Sequence, residues 1–148
     1  MPVVDIASVV RHRGPMLLLD KVVSVGSNSL IATVDIDEHS SFCRKPQGVP
    51  AWIGMEYMAQ AIAAFGGVGA LDRGEELPLG LLIGCQKYST SVGYFPIGSR
   101  LQVEIVENVA DTYGLGAFDC SISADRILVT GRLSVFVQPA SKLDELLA

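Results

Sequence analysis

The chain has 148 residues, 49% of them hydrophobic and 18% charged, with a net charge of -5 at pH 7. That length suits one domain spanning residues 1–148, and that composition excludes a disordered chain. The acidic balance excludes a general nucleic-acid binder, which needs a basic face, and 15 glycines without a fixed period exclude collagen-like and solenoid repeats.

In chain order, Val3 to Val10 carries apolar residues at positions 3, 4, 6, 9 and 10, a short amphipathic helix at most. Its layout is not that of a signal peptide, since Asp5 precedes the apolar residues and an Arg/His cluster follows them. Gly14-Pro15 breaks the segment, and Met16 to Val25 reads as a strand entering a turn at Gly26–Ser29. Leu30, Ala32, Val34 and Ile36 then alternate with Ile31, Thr33 and Asp35, the pattern of a half-buried strand that closes a hairpin. Asp37 to Pro50 is a polar loop. From Trp52 to about Leu71 nearly every side of a helix is apolar, so it must be surrounded. Its small residues, among them Ala59, Ala63, Gly66 and Gly67, let a neighbouring backbone come close. After a polar loop come strands at Leu79–Ser89, Arg100–Asn108, Gly114–Ser123 and Ile127–Val137, with a short tail or terminal helix from Ser141.

A mean hydropathy of +0.40 raises the question of a membrane span. The most apolar stretch, Tyr57 to Leu71, is shorter than a span requires and holds Gln60 and three glycines, so a buried central helix is the better reading. Cys43, Cys85 and Cys120 are odd in number and widely spaced. They suggest neither a disulfide framework nor a metal site, and fit the reducing cytoplasm. The order β–β–α–β–β–β–β predicts an α+β fold, a curved antiparallel sheet wrapped around one long helix. Its outer strands need covering, so dimerisation is expected.

Three blocks carry a resemblance. His12-Arg13-Gly14-Pro15-Met16-Leu17-Leu18-Leu19-Asp20-Lys21-Val22 is similar to the HRxP(F/M)LLxDRV segment of β-hydroxyacyl-ACP dehydratases. Pro50 to Gln60 is similar to their PGxxxxEAMAQ helix start, with Pro50, Glu56, Met58, Ala59 and Gln60 in register. Phe95 to Leu101 is similar to their VxPGDxL turn. The run VPAWIGMEYMAQAIAA most resembles the branch of that family associated with aryl polyene clusters, the ApeP type. The resemblance implies a hot-dog fold, pairing of two subunits as a homodimer or with another hot-dog chain, and dehydration of 3-hydroxyacyl thioesters held by acyl carrier protein or CoA, with no cofactor and no metal.

The family pattern places a catalytic His in a GHFP motif fourteen residues before the helix Glu. In this chain that position is Phe42, and no GHFP occurs. His39, three residues upstream, and His12, which matches a different family position, are the two candidates for the base. Each has a plain alternative: His39 as a solvated loop residue, His12 as a structural residue between Arg11 and Arg13.

Dehydration removes a proton from C2 and protonates the departing C3 hydroxyl, work suited to a His and a carboxylic acid. Glu56 is the only acidic residue between Val49 and Leu71. Burial favours its neutral form while the helix dipole favours the anion, and a carboxyl group in such a run is costly without a partner or a function. Gln60, one turn later on the same face, orients the carboxylate or caps a neighbouring strand. The helix start that follows Pro50, around Ala51, Trp52 and Gly54, offers backbone N–H donors to a thioester carbonyl. Arg11, Arg13, Lys21, Arg44 and Lys45 form a basic rim if both segments reach the pocket mouth, fit for acidic carrier protein or CoA phosphates. Cys43 is read as a small apolar filler. Two other functions stay open: a hot-dog thioesterase using the helix carboxylate alone, and a non-catalytic subunit whose partner brings the His.

Overall fold

The computed structural model describes residues 5–111 and 113–138, apart from the side chains of Leu79 and Gln138. The expected tail or terminal helix from Ser141 lies outside the described residues.

Alternation along the strands sets the architecture. In β2 (Ser29–Asp35) Leu30, Ala32 and Val34 are buried; in β6 (Arg100–Ala110) Leu101, Val103 and Ile105 are; in β7 (Leu115–Ala124) Phe118, Cys120 and Ile122 are. In β8 (Ile127–Gln138) Ile127, Val129, Leu133 and Val135 are buried, with Gly131 between them. One face of each strand therefore turns to a common core. With β1 (Lys21–Val25) and β4 (Leu79–Thr90), these strands make a six-stranded antiparallel sheet in the order β1-β2-β6-β7-β8-β4.

Against that face lies α1 (Gly54–Asp72), entered through a 3-10 turn at Ala51–Ile53. Tyr57, Met58, Ala61, Ile62, Ala64 and Val68 are buried against the sheet. Gly131 of β8 faces the helix; a Cβ there would lie 3.2 Å from the Tyr88 ring and 3.7 Å from the Met58 sulfur. The result is the sheet-wrapped helix of the hot-dog arrangement.

Several boundaries differ from the sequence reading, for local reasons. The stretch before β1 opens with a 3-10 turn at Gly14–Met16, where Gly14 takes φ +59° and Pro15 sits in the first turn. The turn after β4 contains a short strand, β5 (Tyr94–Phe95), paired with β3 (Val49–Pro50) in front of the helix. The helix is not surrounded on all sides either. Glu56, Ala59, Ala63 and Gly66, spaced three and four residues apart on one stripe, are only half-buried.

Candidate active site

Two anchor points fix the segment before β1 against α1. At one, the Val9 backbone sits on Gly67 so closely that a Cβ on the glycine would overlap the Val9 carbonyl. At the other, Gln60 is fully buried and makes three hydrogen bonds. Its Oε1 accepts from the Leu18 N–H (2.9 Å), and its Nε2 donates to the Met16 carbonyl (2.7 Å) and to Glu56 Oε1 (3.2 Å). A buried amide must be satisfied in this way, and satisfying it ties the helix to a strand entry more than forty residues earlier.

His12 lies between these anchors. Its Nε2 is 3.7 Å from Glu56 Oε1, with the two side chains 33% and 38% exposed, so the pair is neither sealed off nor free in solvent. The other ring nitrogen, Nδ1, is buried and has no hydrogen-bond partner among the described residues. Arg13 donates to the Val10 and His12 carbonyls, and Arg11 donates twice to the Leu77 carbonyl, which stiffens the backbone on either side of the imidazole.

The pair stands in a groove enclosing about 630 Å³, its open mouth included. Ala59, Ile62, Ala63 and Gly66 of α1 form one wall, Leu81 and Leu82 of β4 with Val135 and Val137 of β8 the other. A second hollow shares Gly66, Pro78 and Val137 with it and carries it on past Ala70 to Arg73, Glu75 and Glu76. Small side chains on the helix stripe make the space, and its walls are mostly apolar.

The structure separates the two candidate histidines. His39 is 82% exposed, its Nε2 is 3.3 Å from Glu38 Oε1, and it lines a different hollow with Asp20, Asp37 and Tyr57. Its loop explains this: Asp37 accepts the His39 N–H and draws the backbone into an Asx turn facing solvent. Phe42, at the position where the family pattern has His, is exposed at φ +68°.

The helix start also differs from expectation. The Ala51 N–H donates to the Gly93 carbonyl (3.0 Å), and the Tyr88 hydroxyl donates to the Ala51 carbonyl (2.6 Å), so the Ala51 amide is not offered to a ligand. Pro50 and Ala51 are buried, and Gly54 faces Tyr88, Phe95 and Ile122 rather than the groove. Trp52 is 54% exposed and is not among the groove residues. Arg44 and Lys45 are not groove residues either; Lys45 pairs with Glu38 at 3.6 Å. Of the basic residues read as a rim, Arg11 lines a shallow hollow beside His12.

The three thiols are unpaired, and burial pushes Cys120 up to about 12 and raises Cys85, which makes both poor nucleophiles. Among the described residues no cluster of ligating side chains could hold a metal, and no helix is long and apolar enough to cross a membrane. Sequence reasoning missed the β4 and β8 wall of the groove. The signal for it was Leu81-Leu82-Ile83, an apolar run that breaks strand alternation.

The wrapped helix, the six-stranded sheet and the apolar groove between them define a hot-dog domain. The chain itself belongs to the ApeP-like family, the ApeP dehydratases, whose pattern it matches over residues 4–148. Among solved structures it is similar to the dehydratase heterocomplex ApeI:P from Xenorhabdus doucetiae, at 29% identity and TM-score 0.88, covering 97% of each chain. It shares only the fold with the PaaI protein of the E. coli phenylacetic acid degradation operon (12% identity, TM-score 0.60, covering 78% of this chain and 80% of that one). The same holds for thioesterase HI1161 from Haemophilus influenzae (10% identity, TM-score 0.54, covering 80% and 78%). Among curated proteins none matches the sequence significantly.

Proposed function

We propose that this chain dehydrates 3-hydroxyacyl thioesters to enoyl thioesters, with the reacting carbons held against His12 and Glu56, in the groove that both line. The observation that carries this reading is the 3.7 Å separation of the two side chains at the head of the groove. The reaction moves a proton at C2 and one at the C3 hydroxyl, work that a carboxyl group beside an imidazole can serve. The acyl chain runs along Ala59, Ala63 and Gly66, and burying its methylenes there supplies binding energy. Family membership supports the dehydratase over the thioesterase, whose likeness to this chain stops at the fold.

The working unit is a pair of hot-dog chains joined along β4. Among the described residues that strand is bonded on one side only, to β8, and it exposes Leu81, Leu82 and Ile83. An edge so apolar needs a cover. The similar Xenorhabdus structure is a heterocomplex, which favours a second, different hot-dog chain as the partner. The thioester is presented by an acidic carrier protein at the Arg11–Arg13 end of the groove, and the unpaired cysteines fit a cytoplasmic protein.

The test is conversion of a 3-hydroxyacyl thioester to the enoyl product, followed by its ultraviolet absorbance. Turnover that falls about a thousandfold in Glu56→Gln is the expected result. Unchanged turnover in that variant sinks the assignment.

A further inference from the structure

The two ends of the His12 ring have opposite surroundings. Nε2 faces the Glu56 carboxylate and the groove, while Nδ1 is buried with no partner among the described residues. A histidine that accepts a proton becomes an imidazolium, and both of its nitrogens must then donate. Histidines that act as bases are often backed by a carboxylate or carbonyl on the far nitrogen, which holds the tautomer and stabilises the imidazolium. His12 has no such support among the described residues, and a proton on Nδ1 would leave a buried donor unmet. Glu56 attracts a hydrogen, but onto Nε2.

We infer that His12 is a neutral Nε2–H donor and that Glu56 alone moves the protons, a division of labour that rests on the dehydratase reading. The Glu56 carboxylate takes the C2 proton: the C2–H bond breaks, an O–H bond forms, and the electron pair moves onto the thioester as an enolate. His12 Nε2–H donates to the enolate oxygen and stabilises its charge. The enolate then collapses, C2=C3 forms, the C3–O bond breaks, and the departing hydroxyl takes the proton from Glu56 and leaves as water. Glu56 returns as the anion, so one carboxylate removes and delivers the same proton on one face of the substrate. Gln60 Nε2, donating to Glu56 Oε1, keeps that carboxylate turned toward the imidazole.

The state of the ring is directly observable. The chain has two histidines, so 15N NMR of the labelled full-length protein at neutral pH resolves them readily. The expected spectrum has His12 with hydrogen on Nε2 and a bare Nδ1. A bare Nε2 with hydrogen on Nδ1, the form a base needs, overturns the inference whether or not the chain is a dehydratase. Kinetics give a second reading. The amide of Gln puts an N–H near the place of Nε2 but cannot act as a base. His12→Gln is expected to lower kcat by about tenfold or less, and His12→Ala by about a hundredfold or more. Equal loss in the two variants, with wild-type turnover intact, means His12 is the base. Absence of wild-type turnover in the assembled pair of hot-dog chains defeats the dehydratase reading itself, and with it the catalytic roles of both residues, while the ring tautomer still stands or falls on its own spectrum.

Discussion

Gln60 is the residue on which the site's geometry turns. Fully buried, it satisfies the Leu18 N–H and the Met16 carbonyl and reaches Glu56, so it binds the His12 segment to the Glu56 helix. Gln60→Ala is expected to cost about 3 kcal/mol in a urea melt, because two backbone groups lose their partners and a cavity opens. Turnover per folded molecule should fall as well, since the carboxylate loses its orienting bond. A variant as stable as the parent would show that water replaces the amide without cost. Glu56 and Gln60 were legible in the sequence because one turn separates two polar residues in an otherwise apolar run. The approach of His12 to Glu56 was not, because it depends on a chain reversal across forty-four residues. Nothing near His12 in sequence distinguishes it from His39, whose own neighbours Asp37 and Glu38 hold it in the loop.

At the scale of elements, adjacent glycines of α1 have opposite tasks. Gly67 lets the Val9 backbone rest on the helix, and a methyl group there has nowhere to go. Gly66 faces the groove, where a Cβ would meet only Pro78 Cγ, at an ordinary 3.6 Å. Gly67→Ala should therefore destabilise the fold by about 2 kcal/mol. Gly66→Ala should instead stabilise it by up to about 1 kcal/mol through helix propensity, while narrowing the groove. Thermal melts of the two variants check the contrast, and equal shifts in the same direction would contradict it. The sequence showed that small residues let something come close, without showing which glycine meets backbone and which leaves space. The strands were easier to read, because β2, β6, β7 and β8 each keep a clean alternation. The role of β4 was not legible: its register shifts between Leu82 and Gly84, and Leu81 and Leu82, consecutive in sequence, both reach the groove.

For the whole molecule the governing feature is that one groove wall and one of the two sheet edges are the same strand, β4. A chain that covers β4 also encloses the acyl chain, so assembly and catalysis are coupled in the proposed pair. Ile83, 60% exposed on that edge and not among the groove residues, is the place to separate them. Ile83→Lys should weaken assembly with the partner hot-dog chain in analytical ultracentrifugation and weaken substrate binding through loss of the cover. Unchanged association would place the partner elsewhere on the surface.

The central claim is that His12 and Glu56 act as one unit on one substrate. A double-mutant cycle on turnover of a 3-hydroxyacyl thioester measures this directly, using His12→Ala, Glu56→Gln and the pair together. Groups that serve a single transition state are strongly non-additive, so the double variant should be little slower than Glu56→Gln alone. Losses that multiply, with the double variant slower by the product of the two single effects, would show that the two residues act independently and contradict the account.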